Sequence, residues 1–145
     1  MASLPFELVS PERLVYSGAV TEVIVPGAEG EFSVLAGHAP FIAMLKAGIL
    51  TIKGDGSPKR YFVRGGFAEV NPAGLTLLAE EATPEEEIDA GVLAQHIKDA
   101  EEDVADATTD EARQRAETHL ADLKQVVEAL TRESAAEQAR QLHAA

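Results

Sequence analysis

The sequence predicts a β-sandwich followed by an antiparallel pair of α-helices, and three observations support this prediction. All seven aromatic residues lie between Phe6 and Phe67. Ten of the eleven glycines and six of the seven prolines lie before residue 83, where they separate short apolar runs. Residues 1–82 carry nine acidic and six basic side chains (net −3), whereas the Ala- and Glu-rich residues 83–145 carry sixteen and six (net −10). The predicted boundaries are 1–84 for the sandwich, 85–130 for the helical hairpin and 131–145 for a weakly ordered helical tail.

The first module contains nine short runs with strand character. Turn signals such as Pro26-Gly27 and Gly54-Asp55-Gly56 bound these runs at intervals typical of sandwiches and barrels. Because the connections are too short for crossover helices, we predict antiparallel pairing, in two packed sheets or a flattened barrel. The predicted strands are Phe6–Ser10, Leu14–Tyr16, Ala19–Val25, Gly30–Leu35, Phe41–Leu45, Gly48–Lys53, Arg60–Val63, Gly66–Val70 and Leu75–Ala79. The predicted core residues are Val23, Val25, Phe32, Val34, Ile49, Ile52, Phe62, Phe67, Leu75 and Leu77.

The fourth predicted strand leads into a sharp turn. Apolar Phe32 and Val34 alternate with polar neighbours, which indicates a strand. Gly37 permits backbone angles that are closed to other residues, and Pro40 fixes its own φ. The turn therefore presents His38 on a rigid backbone, which suits a docking feature. An ordinary connection between two strands explains the same residues, and the local sequence leaves both interpretations open.

The second module has two competing helix starts. Thr83-Pro84-Glu85-Glu86 resembles a capping box, but Asp89 is a second candidate cap, and we favour a helix from about Asp89 to Ala105. Thr108-Thr109-Asp110-Glu111 starts a second helix after a short connection, which predicts an antiparallel hairpin. The predicted apolar stripes are Leu93, Ile97, Ala100 and Val104, then Ala112, Ala116, Leu120, Leu123, Val127 and Leu130. Because the stripes are narrow, the hairpin needs support from the sandwich or another chain, and we expect fraying after Leu130.

The composition excludes several classes of function. There are no cysteines, which excludes disulfides and thiolate chemistry. No apolar run approaches the roughly 20 residues that span a bilayer, and residues 1–9 lack the features of a signal peptide. The formal charge of −13 argues against nucleic acid and anionic lipid as partners. We therefore expect a cytoplasmic protein whose membrane association runs through a protein partner, with no direct lipid insertion.

The sequence contains no credible active site. No histidine has a second ligand at metal-binding spacing, and the four lie far apart, at His38, His96, His119 and His143. Arg64-Gly65-Gly66 lacks the helix and the lysine of a phosphate-binding loop, so a bulge or tight strand connection is the simpler interpretation. We predict no catalytic residue, no metal and no cofactor. Binding, mechanical and regulatory roles remain.

Three segments carry a specific combination of motifs: F-E-L-V-S-P-E-R-L-V-Y-S-G-A-V (6–20), P-G-A-E-G-E-F-S-V-L-A-G-H-A-P (26–40) and F-V-R-G-G-F-A-E-V (62–70). Leu77-Leu78-Ala79-Glu80 followed by Ile88-Asp89 extends the pattern. Together they resemble the epsilon subunit family of bacterial ATP synthases over about residues 5–130. The resemblance implies a flattened antiparallel sandwich of about ten strands followed by a two-helix hairpin.

The resemblance also implies a non-catalytic role as a rotor subunit of the central stalk. In that family the sandwich docks against the gamma subunit and sits on the polar loops of the membrane c-ring, so that proton flow is coupled to ATP synthesis. Such a subunit is peripheral, on the cytoplasmic face of the bacterial inner membrane, and the missing transit peptide also indicates a bacterium. By position, Glu31, on the neighbouring loop, is expected to face the ring. The residues expected to face gamma are Ser10, His38, Pro40, Phe41, Ile42 and Ala43.

The family's hairpin can extend along gamma and inhibit ATP hydrolysis through contacts with the alpha and beta catalytic subunits. Those contacts use basic residues of the second helix, and here they are few among many acids, so we expect modest inhibition at most. Some members bind ATP through an Ile/Leu-Asp-x-x-Arg-Ala motif. This chain has Ile88 and Asp89 but Val92 in place of the arginine, and Lys98 is the only base of the first predicted helix. We therefore expect weak or no ATP binding.

Two other functions are compatible with the residues. A free-standing adaptor that binds a partner helix needs the same rigid turn but no rotary complex. A nucleotide-binding regulator acting through Arg64-Gly65-Gly66 is the third hypothesis. Fractionation separates these functions, because a rotor subunit travels with membrane ATPase activity.

Overall fold

The structure, a computed structural model, describes the backbone of residues 2–144 and their side chains, except those of residues 133–138, 140, 141, 143 and 144. The chain divides into two compact units, Met1–Ile88 and Asp89–Ala145. The first unit contains ten strands in two five-stranded sheets, and the second contains two helices. The predicted sandwich and helical hairpin are both confirmed.

The two sheets of the sandwich are named A and B. Sheet A has the strand order β2-β1-β9-β8-β5, and sheet B has the order β10-β7-β6-β3-β4. The strands are β1 (Leu4–Val9), β2 (Leu14–Val20), β3 (Glu22–Gly27), β4 (Gly30–Leu35), β5 (Phe41–Met44), β6 (Gly48–Lys53), β7 (Lys59–Arg64), β8 (Phe67–Asn71), β9 (Gly74–Leu78) and β10 (Glu81–Pro84).

Antiparallel pairing fails at one place. Strands β1 and β9 pair in parallel, with Phe6 beside Leu75 and Leu8 beside Leu77, whereas the other strand pairs are antiparallel. The argument from short connections holds for strands that follow one another in sequence. It does not apply to β1 and β9, because most of the sandwich lies between them in the chain. Their parallel pairing is therefore a product of the tertiary fold.

The predicted strand Ala19–Val25 is wrong, because the chain bends at Thr21 and passes from sheet A to sheet B. The Thr21 backbone N and Oγ1 both donate hydrogen bonds to the Lys53 carbonyl, at 2.8 and 3.0 Å. Residues 14–20 form one strand instead of two pieces. The residues alone also failed to predict β10, which has no alternating burial and ends at Pro84.

The core lies between the sheets and contains most of the predicted residues. Val23, Val25, Val34, Ile52, Leu75 and Leu77 are buried in it, and Phe32 packs against it. Phe62 is also buried but lies on the opposite face of β7 from Tyr61 and Val63. Ile49 and Phe67 are wrong as core residues, since both are only partly buried. The alternation along each strand turns Leu50 and Ala68 inward, so their neighbours Ile49 and Phe67 point outward.

The two tyrosines of the chain both lie in the sandwich. The rings of Tyr16 and Tyr61 make an edge contact with centroids 6.5 Å apart. Burial raises the pKa of Tyr61, and the nearby Glu86 carboxylate raises it further, because both disfavour the phenolate. The phenol therefore stays protonated well into the alkaline range, and tyrosine fluorescence reports on this unit alone.

The second unit begins at the cap we favoured. Helix α1 (Ala90–Asp106) starts after Asp89, whose Oδ1 accepts hydrogen bonds from the backbone N–H groups of Gly91 and Val92 at 2.7 and 3.4 Å. The competing capping box is wrong, because Thr83 pairs with Phe62 inside β10. A short 3₁₀ turn, Glu85–Glu87, follows Pro84 with no side-chain cap.

Helix α2 (Asp110–Ala144) starts where predicted, and Thr109 Oγ1 caps it by accepting from the backbone N–H of Ala112 at 3.1 Å. The two helices pack against each other across a three-residue connection, Ala107–Thr109. Leu93, Ala100 and Leu123 are buried as predicted. Val127 is wrong, because Val126 takes the buried position one residue earlier. The backbone is helical from Asp110 to Ala144, and residue 145 lies outside the described residues. The weak order and fraying expected after Leu130 stay a prediction.

Candidate functional site

The turn between β4 and β5 holds His38 on an ordered backbone. Gly37 has a φ of 82°, the left-handed conformation that favours glycine, and the His38 backbone N–H donates to the Leu35 carbonyl at 3.2 Å. His38 Nδ1 lies 2.9 Å from the Ala39 carbonyl oxygen. The His38 ring packs against the Phe41 ring with centroids 5.0 Å apart and a tilt of 44°. The predicted sharp turn is therefore present and exposes His38, while its rigidity and its docking role stay predictions.

Strand β5 is an edge of sheet A and displays apolar side chains. Phe41 and Ala43 are partly buried and point inward, where the Phe41 ring makes an edge contact with Phe32 at 5.1 Å. Ile42 and Met44 point outward and are 68% and 62% exposed. Two large apolar side chains on the outer face of an edge strand are costly in water, which is typical of surfaces that a partner covers.

The other predicted contact residues lie apart from His38. Ser10 is half-buried in the turn after β1, where its N–H and Oγ both donate to the Arg13 carbonyl at 2.9 and 3.3 Å. Glu31 is exposed and lies on β4 beside Pro26, so it is a strand residue and not a loop residue. The structure brings His38, Pro40 and Phe41 together and places Ser10 and Glu31 at the opposite ends of their sheets from the His38 turn.

Sequence reasoning missed a row of apolar side chains on the outer face of sheet A. The pairing places Met44 beside Phe67, Phe67 beside Leu78, Leu78 beside Val9, and Val9 beside Leu14. Leu14 and Leu78 are 56% and 37% exposed, and Phe67 and Val9 are partly exposed. We call these five residues the outer apolar row. It crosses all five strands of sheet A, because each member occupies an outward position at the same level of its strand.

The sequence signals this row in one way: the alternation of each strand turns the member of the row toward solvent. A break in alternation also contributes: a register shift between Leu8 and Val9 lets Val15 and Tyr16 both pack against the core. Leu14 then points outward, as expected for a bulged strand. Because the five residues lie far apart in the chain, only the strand register brings them together.

A cleft of about 340 Å³ lies at the His38 end of the sandwich. Its walls are mostly apolar, with Leu4, Leu35, Pro40 and Val70 among them, and His38 is its one titratable lining residue within the described part of the chain. A cleft with a single exposed imidazole lacks the paired acid and base that general acid–base catalysis uses. The mostly apolar walls suit binding.

The segment Arg64-Gly65-Gly66 connects β7 to β8. Gly65 and Gly66 have φ values of 70° and 100°, and Arg64 Nε donates to Glu81 Oε2 at 3.0 Å. A second carboxylate, that of Glu80, lies 3.9 Å from the Arg64 guanidinium. The arginine is therefore paired with acids of the same unit, which supports the structural interpretation of the segment over a phosphate site.

Within the described residues, no three His, Asp or Glu side chains converge as metal ligands. None of the helices in that part of the chain is long and apolar enough to cross a membrane.

Comparison with known proteins identifies the fold's relatives. Residues 3–85 match the family model described as ATP synthase, Delta/Epsilon chain, beta-sandwich domain. The ATP synthase epsilon chain of Parvibaculum lavamentivorans is 51% identical over 124 residues, covering 85% of this chain and 94% of that one. The epsilon chain of Mesorhizobium japonicum is also 51% identical, over 119 residues that cover 81% of this chain and 88% of that one.

Two solved structures are similar over most of the chain. A chain in the Euglena gracilis mitochondrial ATP synthase, OSCP/F1/c-ring in rotational state 1, has a TM-score of 0.72 and 29% identity, covering 90% of this chain and 82% of that one. A chain in the Tetrahymena thermophila mitochondrial ATP synthase shares the fold, with a TM-score of 0.69 and 13% identity over 89% of this chain and 97% of that one. The chain therefore belongs to the ATP synthase epsilon chain family.

Proposed function

We propose that this chain is a non-catalytic rotor subunit of the central stalk, which couples proton flow through the membrane ring to ATP synthesis by way of gamma. The observation that supports this most strongly is its 51% identity to bacterial ATP synthase epsilon chains, over nearly their whole length. The similar chain in the Euglena assembly belongs to a complex that includes F1 and the c-ring.

The proposed gamma contact combines the predicted residues with the outer apolar row. His38 and Pro40 form one exposed cluster, which the inward-pointing Phe41 supports through its contact with the His38 ring, and Ile42 extends the cluster along the exposed edge strand. Met44 follows Ala43 on this strand and begins the row, so the cluster and the row form one continuous surface on sheet A. Ser10 lies just beyond Val9 at the far side of the row. Covering this surface removes exposed apolar area from water, which favours docking.

The proposed ring contact is Glu31, which projects from the edge strand β4 of sheet B. A polar, exposed carboxylate suits the polar loops of a membrane ring better than an apolar side chain. We propose that the assembled subunit is peripheral, on the cytoplasmic face of the bacterial inner membrane. The sandwich (1–84) supplies the docking body, the hairpin (85–130) a regulatory element, and residues 131–145 a weakly ordered tail.

Fractionation tests the rotor function against the adaptor. When membranes are washed and the catalytic head is then released, the chain is expected to remain with ATPase activity at both steps, in constant ratio to gamma. The adaptor is expected to leave in the first wash, and its recovery there would contradict the rotor function.

The hairpin is expected to inhibit ATP hydrolysis only modestly. Inhibition through the acidic catalytic surfaces requires basic side chains, and Arg113, Arg115, Lys124 and Arg132 of α2 stand among many acids. Residues 1–88 form a compact unit, and an enzyme assembled with them alone is expected to hydrolyse ATP within about twofold of the intact enzyme. A tenfold inhibition would require about 1.4 kcal/mol of contact energy between the hairpin and the catalytic subunits, which so few basic side chains are not expected to supply. A many-fold rise in hydrolysis on truncation would overturn this expectation.

The isolated chain is expected to bind ATP weakly or not at all. Val92 stands where the family's ATP motif has arginine, and Asp89 Oδ1 already accepts the N–H groups of Gly91 and Val92. Calorimetric titration with Mg-ATP should therefore give no measurable heat of binding. A Val92→Arg variant is the matched comparison, because it restores the missing cation. Binding by the unmodified chain with a low-micromolar Kd would contradict the expectation.

A further inference from the structure

The outer face of sheet A carries a second row beside the outer apolar row. Pairing aligns Ile42 with Glu69, Glu69 with Thr76, Thr76 with Glu7, and Glu7 with Ser17. We call these five residues the acidic row. Four of them lie two residues from a member of the apolar row on the same strand, and Ser17 lies three residues from Leu14 because of the register shift between Leu8 and Val9. The two rows therefore run side by side at a spacing of about 7 Å.

The two carboxylates of the acidic row have no cation of their own. Among the described residues, no Lys or Arg lies within ion-pair distance of Glu7 or Glu69, whereas Glu22, Glu80, Glu81 and Glu85 of the same unit have basic partners. Glu7 is exposed and Glu69 is half-buried. An apolar stripe with uncompensated negative charge along one flank is complementary to a partner with an apolar stripe and a basic flank.

We infer that gamma places an amphipathic helix on sheet A, perpendicular to its strands, with an apolar stripe on the outer apolar row and basic side chains over Glu7 and Glu69. This inference rests on the proposed function, since gamma supplies the helix. The helix lies on the outer face of the sheet, and it is not a gamma strand added to the edge of β5.

The length and width of the two rows match those of a single α-helix. Four steps between five strands span about 19 Å, which is the length of about 13 helical residues. The apolar row is one side chain wide except at β5, where Ile42 lies beside Met44, and this matches the narrow stripe of a single helix and not the width of a packed sheet. Glu7 and Glu69 are two strands apart, about 10 Å, the distance between helical residues seven positions apart. A strand added at β5 would reach Ile42 and Met44 but not Leu14.

Cross-linking tests the geometry. The chain has no cysteine, so Leu14→Cys, Leu78→Cys and Met44→Cys each give one attachment point for a thiol-directed photo-cross-linker on the chain bound to gamma-containing catalytic heads. The three links are expected to fall in order within about 13 consecutive residues of gamma. Links from Met44→Cys alone, or links scattered over separate segments of gamma, would overturn the inference.

Charge reversal tests the flank. The double variant Glu7→Lys/Glu69→Lys is expected to bind the heads about tenfold more weakly at low salt, with a difference that shrinks as salt screens it. The control Asp55→Lys/Glu102→Lys changes the net charge equally at exposed sites elsewhere and is expected to bind normally. Equal binding by both double variants would refute the basic flank. Failure of the unmodified chain to bind heads would instead refute the proposed function itself.

Discussion

Replacing Gly66 with alanine is expected to cost the sandwich about 3–5 kcal/mol of unfolding free energy. Gly66 has a φ of 100°, and a Cβ added there would collide with the Leu78 carbonyl oxygen and come within 3.0 Å of the Ala79 Cα. The backbone strain costs about 1–3 kcal/mol, and overpacking against backbone atoms that cannot move aside adds a similar amount. The Gly66 carbonyl also accepts the N–H of Leu45, so a shift at this position disturbs β5.

Urea unfolding followed by tyrosine fluorescence measures this effect, because both tyrosines lie in the sandwich. Gly56→Ala is the matched control: its φ is 93°, but a Cβ added there meets nothing within 4 Å. It should show the backbone strain alone, about 1–2 kcal/mol. If the two variants unfold at the same urea concentration, the close approach of Gly66 to Leu78 does not hold the connection between β7 and β8 against β9.

Replacing Met44 with glutamate is expected to weaken binding to gamma about 100-fold. Met44 is 62% exposed at one end of the outer apolar row, so the free protein tolerates a charge there. In the complex the carboxylate is covered by apolar surface without a cation, and such a buried, unpaired charge costs about 3–5 kcal/mol. Every 1.4 kcal/mol is tenfold in affinity, so a 100-fold loss requires about 3 kcal/mol of that penalty.

Binding to catalytic heads that carry gamma but lack this chain measures the loss directly. Val92→Glu makes the same apolar-to-acid change at a side chain that is 52% exposed on α1, outside the sandwich. It should bind as the unmodified chain does. Unchanged melting of the Met44→Glu variant separates lost docking from lost folding. Normal affinity of a correctly folded Met44→Glu protein would remove the outer apolar row from the proposed contact.

The local features of the fold were predictable because they depend on neighbouring residues. Alternation along Gly30–Leu35 and Gly48–Lys53 gave the bounds of β4 and β6, and Gly37 with Pro40 gave the rigid turn. Asp89 was preferred over Thr83 as a cap, and the structure shows why: Thr83 is held by pairing with Phe62 in β10. That pairing joins residues distant in sequence, which a local pattern does not contain.

The candidate surface was predictable only in part for the same reason. The turn at His38 is a local motif, whereas the outer apolar row joins Met44, Phe67, Leu78, Val9 and Leu14 through the register of five strands. The parallel pairing of β1 with β9 places Val9 beside Leu78 and so joins the two parts of the row, whereas antiparallel pairing had been predicted there. Phe67 was predicted in the core, but the register of β8 turns Ala68 inward and Phe67 outward.

The rotor function requires this chain to turn together with gamma, and cross-linking the two chains tests this requirement. Met44→Cys is cross-linked to gamma in the assembled enzyme, and proton-driven ATP synthesis by the membranes is compared before and after the link forms. A rotor subunit moves with gamma, so ATP synthesis should continue at its original rate. Loss of synthesis on linking, while the unlinked variant stays active, would show that the two move relative to each other and would contradict the rotor function.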